Sequence, residues 1–427
     1  MKAISAILMD YPNSAHLHRA LNSLHNLASK LHSITILQEK NVLLPAPANP
    51  SLFPNITIHI YQPNGFGKLL NKIIAQQKSE YILFLKQSEY LSPTIKDDSL
   101  QLKSSQNVMN HIYSVKTLSI PSPFLARTTY LQKQPFLLDH QLPFKEAIFS
   151  TWLSTIDDTL KTNKKNLVNR AKENTSRDRM EKLRLLEKYH YKKTSTEHPS
   201  LTILMANYNM ENYVETAVTS CLFQTERPEQ ICIMDDGSTD NSYNQLKNWQ
   251  REPDIQLFTK QNEGKARALN DLLPYVTSDF ILELDADDWL DADAISVIKS
   301  HLLHLPEDVA VLYGNFRRWK QREGNILFQN IATGRPVHGR KALLSYPFPL
   351  GPRIYRTSAL KAVGGFPVIP FKNGRLFEDV SVLHRLLKTY RFQYKNFTVY
   401  NIRKHEESIT RKNENLWNQF LNHLYRL

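Results

Sequence analysis

The sequence predicts an α/β protein made of two tandem units, each with a mostly parallel sheet and helices on both faces. Short apolar runs alternate with helical patterns in both halves of the chain, which is the order expected of βαβ units. The second half also repeats the apolar spacing of the first. With 427 residues, of which 41% are hydrophobic, the chain is long enough for two or three domains with real cores.

The first half shows short apolar runs separated by stretches with helical spacing. Strands are predicted at residues 4–9, 34–37, 56–61 and 81–85, and helices at residues 15–31 and 68–75. Strands joined through helices run parallel in one sheet. We therefore assign residues 1–160 to a first domain.

Residues 161–198 differ in composition, because basic side chains dominate and the apolar stripe is thin. The basic residues are Lys161, Lys164, Lys165, Arg170, Lys172, Arg177, Arg179, Lys182, Arg184 and Lys188. The pattern predicts a basic helical linker. Such a segment serves either as a solvated spacer or as a contact with an anionic lipid or polymer.

From residue 199 to the end at 427 the alternation restarts more sharply, which predicts a second domain. Strands are predicted at residues 201–205, 231–234 and 255–258, and helices at residues 211–223 and 265–273. The second strand ends in Asp235 and Asp236, followed by a Gly-Ser-Thr-Asp sequence that is typical of a tight turn with a helix cap.

An acidic stretch follows the next apolar run, at residues 280–291. The run ends abruptly in Asp285, Asp287 and Asp288. Three carboxylates at the end of a buried strand repel one another, and a divalent cation would remove that cost. In open α/β sheets ligands bind beyond the carboxyl ends of the strands. The stretch predicts a site for Mn²⁺ or Mg²⁺ holding a diphosphate; the alternative is a solvated turn that caps the next helix.

The two halves are related by an internal repeat. Residues 56–91 align without a gap on residues 255–290, with about ten identities where chance gives about two. The apolar positions are kept, but the acids are not. Gln38-Glu39 stands for Asp235-Asp236, residues 86–89 (Lys-Gln-Ser-Glu) stand for residues 285–288, and Glu146-Ala147 falls where Glu378-Asp379 would be. We expect the first copy to fold and to lack a site for a metal diphosphate.

The second half resembles the family-2 glycosyltransferases of the GT-A fold over nearly all of residues 200–410. The first copy would then be a degenerate GT-A-like domain. The motifs that carry the resemblance are the loop Ala206-Asn207-Tyr208-Asn209, the turn at residues 235–240, the stretch at residues 264–270 (Gly-Lys-Ala-Arg-Ala-Leu-Asn), Asp285-Ala286-Asp287, Gly364-Gly365-Phe366, Glu378-Asp379 and His405.

The resemblance implies a nucleotide site built from Ala206, Tyr208, Asp236, Lys265 and Asp285. Asp236 would accept from the ring N–H of uracil or a similar base, and Tyr208 would pack near it. Asp235 would instead cap the turn. Lys265 starts a helix, where an anion is stabilised by the ammonium group and the free N–H groups; the alternative is an exposed helical lysine. Ala206 departs from the family, in which proline or threonine is frequent at this position.

The same resemblance implies a metal site and a catalytic pair. Asp287, with Asp285, Asp288 or His405, would hold Mn²⁺ or Mg²⁺ against the diphosphate. His405 would otherwise be a surface histidine in a tail. Asp379, beside Glu378 at the start of a helix, would be the base that deprotonates the acceptor; the alternative is a helix-capping pair.

The function implied is inverting, metal-dependent transfer from a nucleotide diphosphate sugar, preferably a UDP-sugar, to a glycan, polysaccharide or lipid-linked acceptor. The alternative is an inert sugar-nucleotide-binding or scaffold protein of a glycan-synthesis complex. A homo-oligomer is left open.

Net charge and the lengths of the apolar runs indicate which partners and which cellular location to expect. The formal charge of +13 suits an acidic partner, but no zinc spacing, helix-turn-helix signature or aromatic–basic RNA motif indicates nucleic acid. No apolar run approaches the roughly 20 residues of a membrane span, and we expect no signal peptide. A membrane-embedded polysaccharide synthase is therefore disfavoured. We expect a cytoplasmic protein, with peripheral contact at an anionic inner membrane face as an option.

Overall fold

A computed structural model describes residues 3–40, 55–95, 100–171, 176–192, 199–322, 325–406 and 416–424. The chain divides into two compact units, Met1–His190 and Tyr191–Leu427. Each unit contains a mixed sheet in which most strands point the same way, with helices between the strands. The predicted α/β fold class is confirmed.

The first unit is built on a sheet that has seven strands in its described residues, in the order β3-β2-β1-β4-β7-β6-β8. A separate ribbon pairs β5 with β9. The strands are β1 (Ile4–Met9), β2 (Leu31–Glu39), β3 (Ile56–Tyr61), β4 (Tyr81–Lys86), β5 (Glu89–Leu91), β6 (Val108–Val115), β7 (Leu118–Arg127), β8 (Lys161–Lys164) and β9 (Val168–Arg170).

The helices of this unit connect the strands. They are α1 (Ser14–Ser23), α2 (Phe66–Gln76), α3 (Thr128–Lys133), α4 (Ala147–Ser154) and α5 (Arg177–Lys188). The helix predicted at residues 15–31 is shorter in the structure, because a 3₁₀ turn at Leu24–Leu27 ends it and β2 begins at Leu31. Leu24, Leu27 and Leu31 are all buried, although they lie in a 3₁₀ turn and a strand. Their apolar spacing therefore did not show where the α-helix ends.

The second unit has a larger sheet, in the order β12-β11-β10-β13-β17-β15-β18-β14 with β16 paired to β15. Its strands are β10 (Leu201–Asn207), β11 (Gln230–Asp235), β12 (Ile255–Thr259), β13 (Phe280–Glu283), β14 (Trp289–Leu290), β15 (Val309–Arg322), β16 (Asn325–Ala332), β17 (Arg353–Arg356) and β18 (Arg391–Lys404).

Helices pack against both faces of this second sheet. They are α6 (Val214–Leu222), α7 (Ser242–Trp249), α8 (Lys265–Leu272), α9 (Ala294–Leu302), α10 (Gly339–Leu344), α11 (Thr357–Ala362), α12 (Glu378–Leu386) and α13 (Trp417–Leu424). Ile203 and Met205 of β10 join one apolar core with α6 and α9, whereas Leu204 joins the other with α8, α11 and α12. No helix in the described part of the chain combines the length and the hydropathy that crossing a bilayer requires.

The predicted repeat appears as a shared strand order. In each unit four parallel strands are followed by an antiparallel strand and then by two strands that are parallel to each other, β6 and β8 or β15 and β18. A local contact is repeated as well. The amide of Asn71 exchanges two hydrogen bonds with the backbone of Phe136 (2.8 and 3.0 Å), and Asn270 does the same with Phe366 (both 2.8 Å). The Gly-Gly-Phe motif is thus held to helix α8.

Residues 161–198 do not form a separate linker, which corrects the predicted domain boundaries. Strand β8 pairs in parallel with β6, and the backbone N–H of Ser119 on β7 donates to Glu187 on α5 (2.8 Å). The first unit therefore extends to His190. Strand β8 lies at the edge of its sheet and consists of polar residues, so no apolar run in the sequence predicts it. Residues 172–175 and 193–198 of the predicted linker lie outside the described residues.

Two adjacent glycines allow a test of the Gly-Gly-Phe link. Both Gly364 and Gly365 have positive φ (77° and 73°), but only a Cβ at Gly365 would clash, with Asn270 Oδ1 and with Leu273 Cδ1 at 2.8 Å. We expect Gly364→Ala to lower the unfolding free energy by about 1 kcal/mol through backbone strain alone. Gly365→Ala should cost about 1–3 kcal/mol more through overpacking. Urea unfolding of both variants measures this difference, and equal losses would contradict it.

Candidate functional site

The polar residues of the second unit gather where β10, β11 and β13 end. These strands are parallel neighbours, and Asn207 at the end of β10 lies opposite Asp235 at the end of β11. Asp285 and Asp287 follow β13 at the same edge. The structure thus brings the predicted turn and the acidic stretch to one edge of the sheet, as expected for a ligand crevice.

The two aspartates of the turn hold the backbone. Asp235 accepts from the Asn207 amide (2.8 Å) and from the backbone N–H of Ser238 (3.1 Å), so its predicted capping role is confirmed. Asp236 is 3% exposed, and its oxygens accept from the N–H groups of Glu263 (2.9 Å) and Gly264 (2.8 Å). Asp236 therefore anchors the start of α8, and its contact with a base stays a prediction.

The loop after β10 offers one exposed ring. Ala206 lies within β10 and Tyr208 directly follows it. The side chain of Tyr208 is among the most exposed large hydrophobic groups in the described residues, at 44%. An aromatic face left open beside the turn is suited to stacking on a planar ligand. The predicted roles of Ala206 and Tyr208 remain proposals.

Lys265, at the start of α8, is enclosed by carboxylates rather than being an exposed helical lysine. Its Nζ lies 2.8 Å from Glu283 and 3.3 Å from Glu378, and it donates to Asp285. Burial alone would lower the pKa of Lys265, but the charges of Asp285, Glu283 and Glu378 outweigh it and hold the pKa well above its usual value. Lys265 is therefore a permanent cation that links the acidic stretch to the predicted catalytic pair, Glu378 and Asp379.

The sequence reasoning missed a second cation, Arg353. Its Nε and one terminal nitrogen donate to the two oxygens of Glu283 (2.9 and 2.8 Å), and Tyr355 also donates to Glu283 (2.9 Å). Burial would raise the pKa of Glu283, but Arg353 and Lys265 together hold it far below its usual value. The sequence shows Glu283 as a charged residue in a buried strand, and a buried charge requires a partner of opposite charge. No pattern near Glu283 in the sequence identifies Arg353 as that partner.

The three aspartates after β13 have separate environments. Asp285 contacts Lys265 and lies 3.6 Å from Arg353. Asp287 Oδ2 lies 2.9 Å from His405 Nε2. Asp288 is 4% exposed and accepts from the backbone N–H of Arg403 (2.9 Å). Asp288 thus secures β18, the strand that leads to His405, and its burial does not support the predicted role as a metal ligand.

Burial and neighbouring charge act together on Asp288. Burial raises the pKa of its carboxyl well above the usual value, and the charges of Asp287 and Asp285 raise it further. The contribution of Asp287 and Asp285 reflects three carboxylates crowded at this end of β13. A bound cation would relieve that repulsion.

His405 is a buried part of the site and not a surface residue of a tail. Its side chain is 2% exposed, and its ring lies 4.4 Å from the ring of Tyr213. The residue directly follows β18, whose pairing with β14 and β15 fixes its place opposite Asp287. The predicted proximity of His405 to the acidic stretch is confirmed, whereas its role as a metal ligand stays a prediction.

Glu378 and Asp379 lie in the first turn of α12, close to the same two cations. Lys265 reaches Glu378, and Arg353 lies 3.7 Å from Asp379. Burial raises the pKa of Glu378, Lys265 opposes that rise, and Asp379 adds to it. The helix cap itself is Phe377, whose side chain makes no cap hydrogen bond, whereas Asp379 Oδ1 accepts from the backbone N–H of Val380 (2.8 Å). The pair therefore belongs to the charged cluster that contains Asp285, although about 90 residues separate them in sequence.

An aromatic cluster supports the segment before this pair. Phe377 has a left-handed backbone (φ 60°), which is costly for a residue with a side chain. Its ring lies 4.6 Å from Phe420 and 5.5 Å from Trp417, both on helix α13, and Phe371 packs 6.0 Å from Phe420. The C-terminal helix therefore holds the strained segment from which α12 starts.

Asp287 and His405 fit a divalent cation. Carboxylate oxygen and imidazole nitrogen both ligate Mn²⁺, and Mg²⁺ is usually held by one or two carboxylates together with substrate phosphates. Within the described residues no group of three or more His, Cys, Asp or Glu side chains is arranged to hold a metal alone. The pair is therefore suited to a metal whose other ligands come from a bound diphosphate and water.

The corresponding edge of the first unit is closed by a lysine. Lys145 Nζ lies 2.9 Å from Asp10, 2.8 Å from Glu39 and 3.0 Å from the hydroxyl of Tyr61. Asp10 follows β1, Glu39 ends β2 and Tyr61 ends β3. The two acidic groups at this edge thus share one internal counter-ion.

Comparison with known proteins supports this description of the second unit. Residues 202–362 match the model of the family described as Glycosyl transferase family 2. Residues 202–362 of the second unit are therefore identified with family 2 glycosyltransferases, and the resemblance inferred from the motifs is confirmed over that range.

Named relatives and a solved structure are similar to parts of this chain. Glycosyltransferase GlyA of Streptococcus pneumoniae is 29% identical over 129 residues, which is 30% of this chain and 18% of that protein. Chondroitin synthase of Pasteurella multocida is 34% identical over 106 residues, 25% of this chain and 11% of that protein. The chain thus matches less than a fifth of the length of either relative. S. aureus TarS 1–349 in complex with UDP-GlcNAc is 16% identical, with a TM-score of 0.39 over 49% of this chain and 60% of that one.

The stability of the first unit should depend on pH through Lys86, which lies at the same edge of the sheet as Lys145. Lys86, aligned with Asp285, donates to Ser122 (2.8 Å), and burial lowers its pKa to about 8. Between pH 8 and 10 the unfolded chain keeps the proton that the folded unit releases, so stability should rise with pH. Relative to Lys86→Met, the native protein should gain about 2 kcal/mol over this range.

Pulse proteolysis in urea, with peptides mapped to residues 81–95, measures this gain for the first unit. Lys68→Met, at an exposed position of α2, serves as the control and should leave the pH dependence unchanged. A parallel pH dependence in Lys86→Met and the native protein would contradict the assignment.

Proposed function

We propose that the second unit is a metal-dependent inverting glycosyltransferase, which transfers a sugar from a nucleotide diphosphate sugar to a hydroxyl group of a glycan acceptor. The observation that carries this proposal is the gathering of Asp285, Glu378 and Asp379 around Lys265 and Arg353, at the edge of the sheet where ligands bind. A cluster of this kind is expensive to bury and is typical of a functional site.

The donor would bind along the ends of β10, β11 and β13. Tyr208 offers its exposed ring to the base, and Asp236 fixes the loop at Gly264 that borders this space. Asp285 would face the ribose. A UDP-sugar is the preferred donor, by resemblance of the turn at residues 235–240 to the base-recognition turn of the family.

The metal would be held by Asp287 and His405. Mn²⁺ or Mg²⁺ bound there supplies Lewis-acid stabilisation of the departing nucleoside diphosphate. Asp288 keeps β18 in place, and through it His405, by accepting from the backbone of Arg403. Lys265 keeps Asp285 oriented toward the same space.

Asp379 would act as the base. It takes the proton of the acceptor hydroxyl while that oxygen bonds to the anomeric carbon and the bond from that carbon to the diphosphate oxygen breaks. Attack from the side opposite the diphosphate inverts the anomeric centre. Similarity to chondroitin synthase supports a polysaccharide acceptor. The first unit, closed by Lys145, would bind no metal diphosphate and serve a structural or acceptor-binding role.

Replacement of the proposed base tests the assignment. Asp379→Asn should lower kcat by about 10²–10⁴-fold, because the acceptor hydroxyl loses its proton acceptor, while the donor still binds. Transfer of radiolabelled sugar with Mn²⁺ and calorimetric titration with the nucleoside diphosphate measure the two quantities. Asp293→Asn, at the cap of α9, is the matched control and should keep its activity. Full transfer by Asp379→Asn would refute the role of Asp379.

The metal assignment has its own readout. His405→Ala should weaken Mn²⁺ binding in the presence of a nucleoside diphosphate by about 100-fold, because one of two protein ligands is lost. Electron paramagnetic resonance of Mn²⁺ measures the bound fraction directly. His301→Ala, where the imidazole stacks on Phe397 at 5.0 Å, should bind Mn²⁺ as the native protein does. Equal affinity in both variants would remove His405 from the site.

A further inference from the structure

We propose that the ion pair between Glu283 and Arg353 is the positioning element of the active site, and that Arg353 sets the place of Asp379 relative to Asp285. The inference rests on the function proposed above. Arg353 is not expected to touch the reacting atoms. It would act by holding two carboxylates that arrive on separate elements, one after β13 and one on α12.

The guanidinium group is fixed on its inner side. Glu283 and Arg353 are direct partners in the antiparallel pairing of β13 with β17, and their side chains are 0% and 9% exposed. Nε and one terminal nitrogen bind Glu283, and the other terminal nitrogen donates to the carbonyl of Leu350 (3.1 Å). Three of the five N–H groups of arginine are thus oriented by the sheet and the loop before β17.

The outer side of the group faces the two functional carboxylates. One terminal nitrogen lies 3.6 Å from Asp285 Oδ2, and the other lies 3.7 Å from Asp379 Oδ2. These separations exceed those of direct hydrogen bonds, so the attraction is mainly electrostatic and leaves room for a small adjustment. Because the guanidinium is planar and fixed on its inner side, its two terminal nitrogens attract Asp285 and Asp379 from set positions.

Stability alone does not account for this arrangement. A buried ion pair is often no more stabilising than apolar residues of similar volume. The apolar neighbours on β13 and β17, Leu282 and Ile354, already pack in the core. Asp379, in contrast, starts a helix from the strained Phe377, so its position depends on what holds it. Lys265 supplies the parallel link between Asp285 and Glu378.

The experiment removes both charges of the pair together. In Arg353→Met/Glu283→Gln the glutamine oxygen remains available to Lys265 and Tyr355, so no buried charge is left without a partner. We expect kcat to fall by about 100-fold, the effect of a small misplacement of catalytic groups. The Kd for the nucleoside diphosphate with Mn²⁺ should stay within about threefold, because Lys265 still holds Asp285. Arg353→Lys keeps the charge without the planar fork and should retain an intermediate kcat.

The matched control is another buried ion pair of the same unit. Arg317 donates to both oxygens of Asp291 (3.0 and 2.8 Å), and both side chains are buried. Arg317→Met/Asp291→Asn should lower the melting temperature while kcat stays within about threefold of the native value. A structural role for the Glu283–Arg353 pair predicts this same behaviour for both double variants, and that result would overturn the proposal.

Folding and function are separated by two further comparisons. Circular dichroism shows whether Arg353→Met/Glu283→Gln is folded; if it is not, an unchanged kcat in Arg353→Lys overturns the proposal. Absence of transfer by the native protein, with every UDP-sugar and acceptor offered, would instead refute the proposed function. Native transfer with an undiminished kcat in the folded double variant would overturn the positioning role alone.

Discussion

The charge balance at the end of β13 is the constraint on which the second unit depends. Glu283, Asp285, Glu378 and Asp379 surround only two basic side chains, Lys265 and Arg353, so negative charge is in excess. Without the two cations, the acids of β13 and α12 would repel one another across a buried space. With them, the acids are held close together while part of their charge remains for a ligand cation beside Asp287.

The scaffold around this cluster is tied down at several points. Asn270 secures the Gly-Gly-Phe segment to α8 through Phe366, and Asp236 secures the loop before α8. Phe377 is held by Phe420 and Trp417 of the C-terminal helix. Each tie joins residues far apart in the chain, so the site is built from the whole second unit and not from one loop.

The parts that could be predicted from the sequence are those with a local pattern. Apolar runs located the four consecutive parallel strands of each sheet but not the strands beyond them, and the clustered acids after β13 marked the edge where His405 also lies. Arg353 was missed because its partner Glu283 is 70 residues away and only strand pairing makes them neighbours. Asp288 was placed among the ligands because sequence spacing does not show which of three adjacent carboxylates turns inward.

Lys145 in the first unit has a consequence for the relation between the two units. A single ammonium group bridges the ends of three neighbouring strands there. Aspartates introduced at positions 86 and 88 would thus meet an internal lysine that already pairs with the acids at this edge. The two units therefore differ at this edge in two ways, in the residues that follow β4 and β13 and in the lysine that bridges the strand ends of the first unit, and a change of either kind alone would leave the other in place.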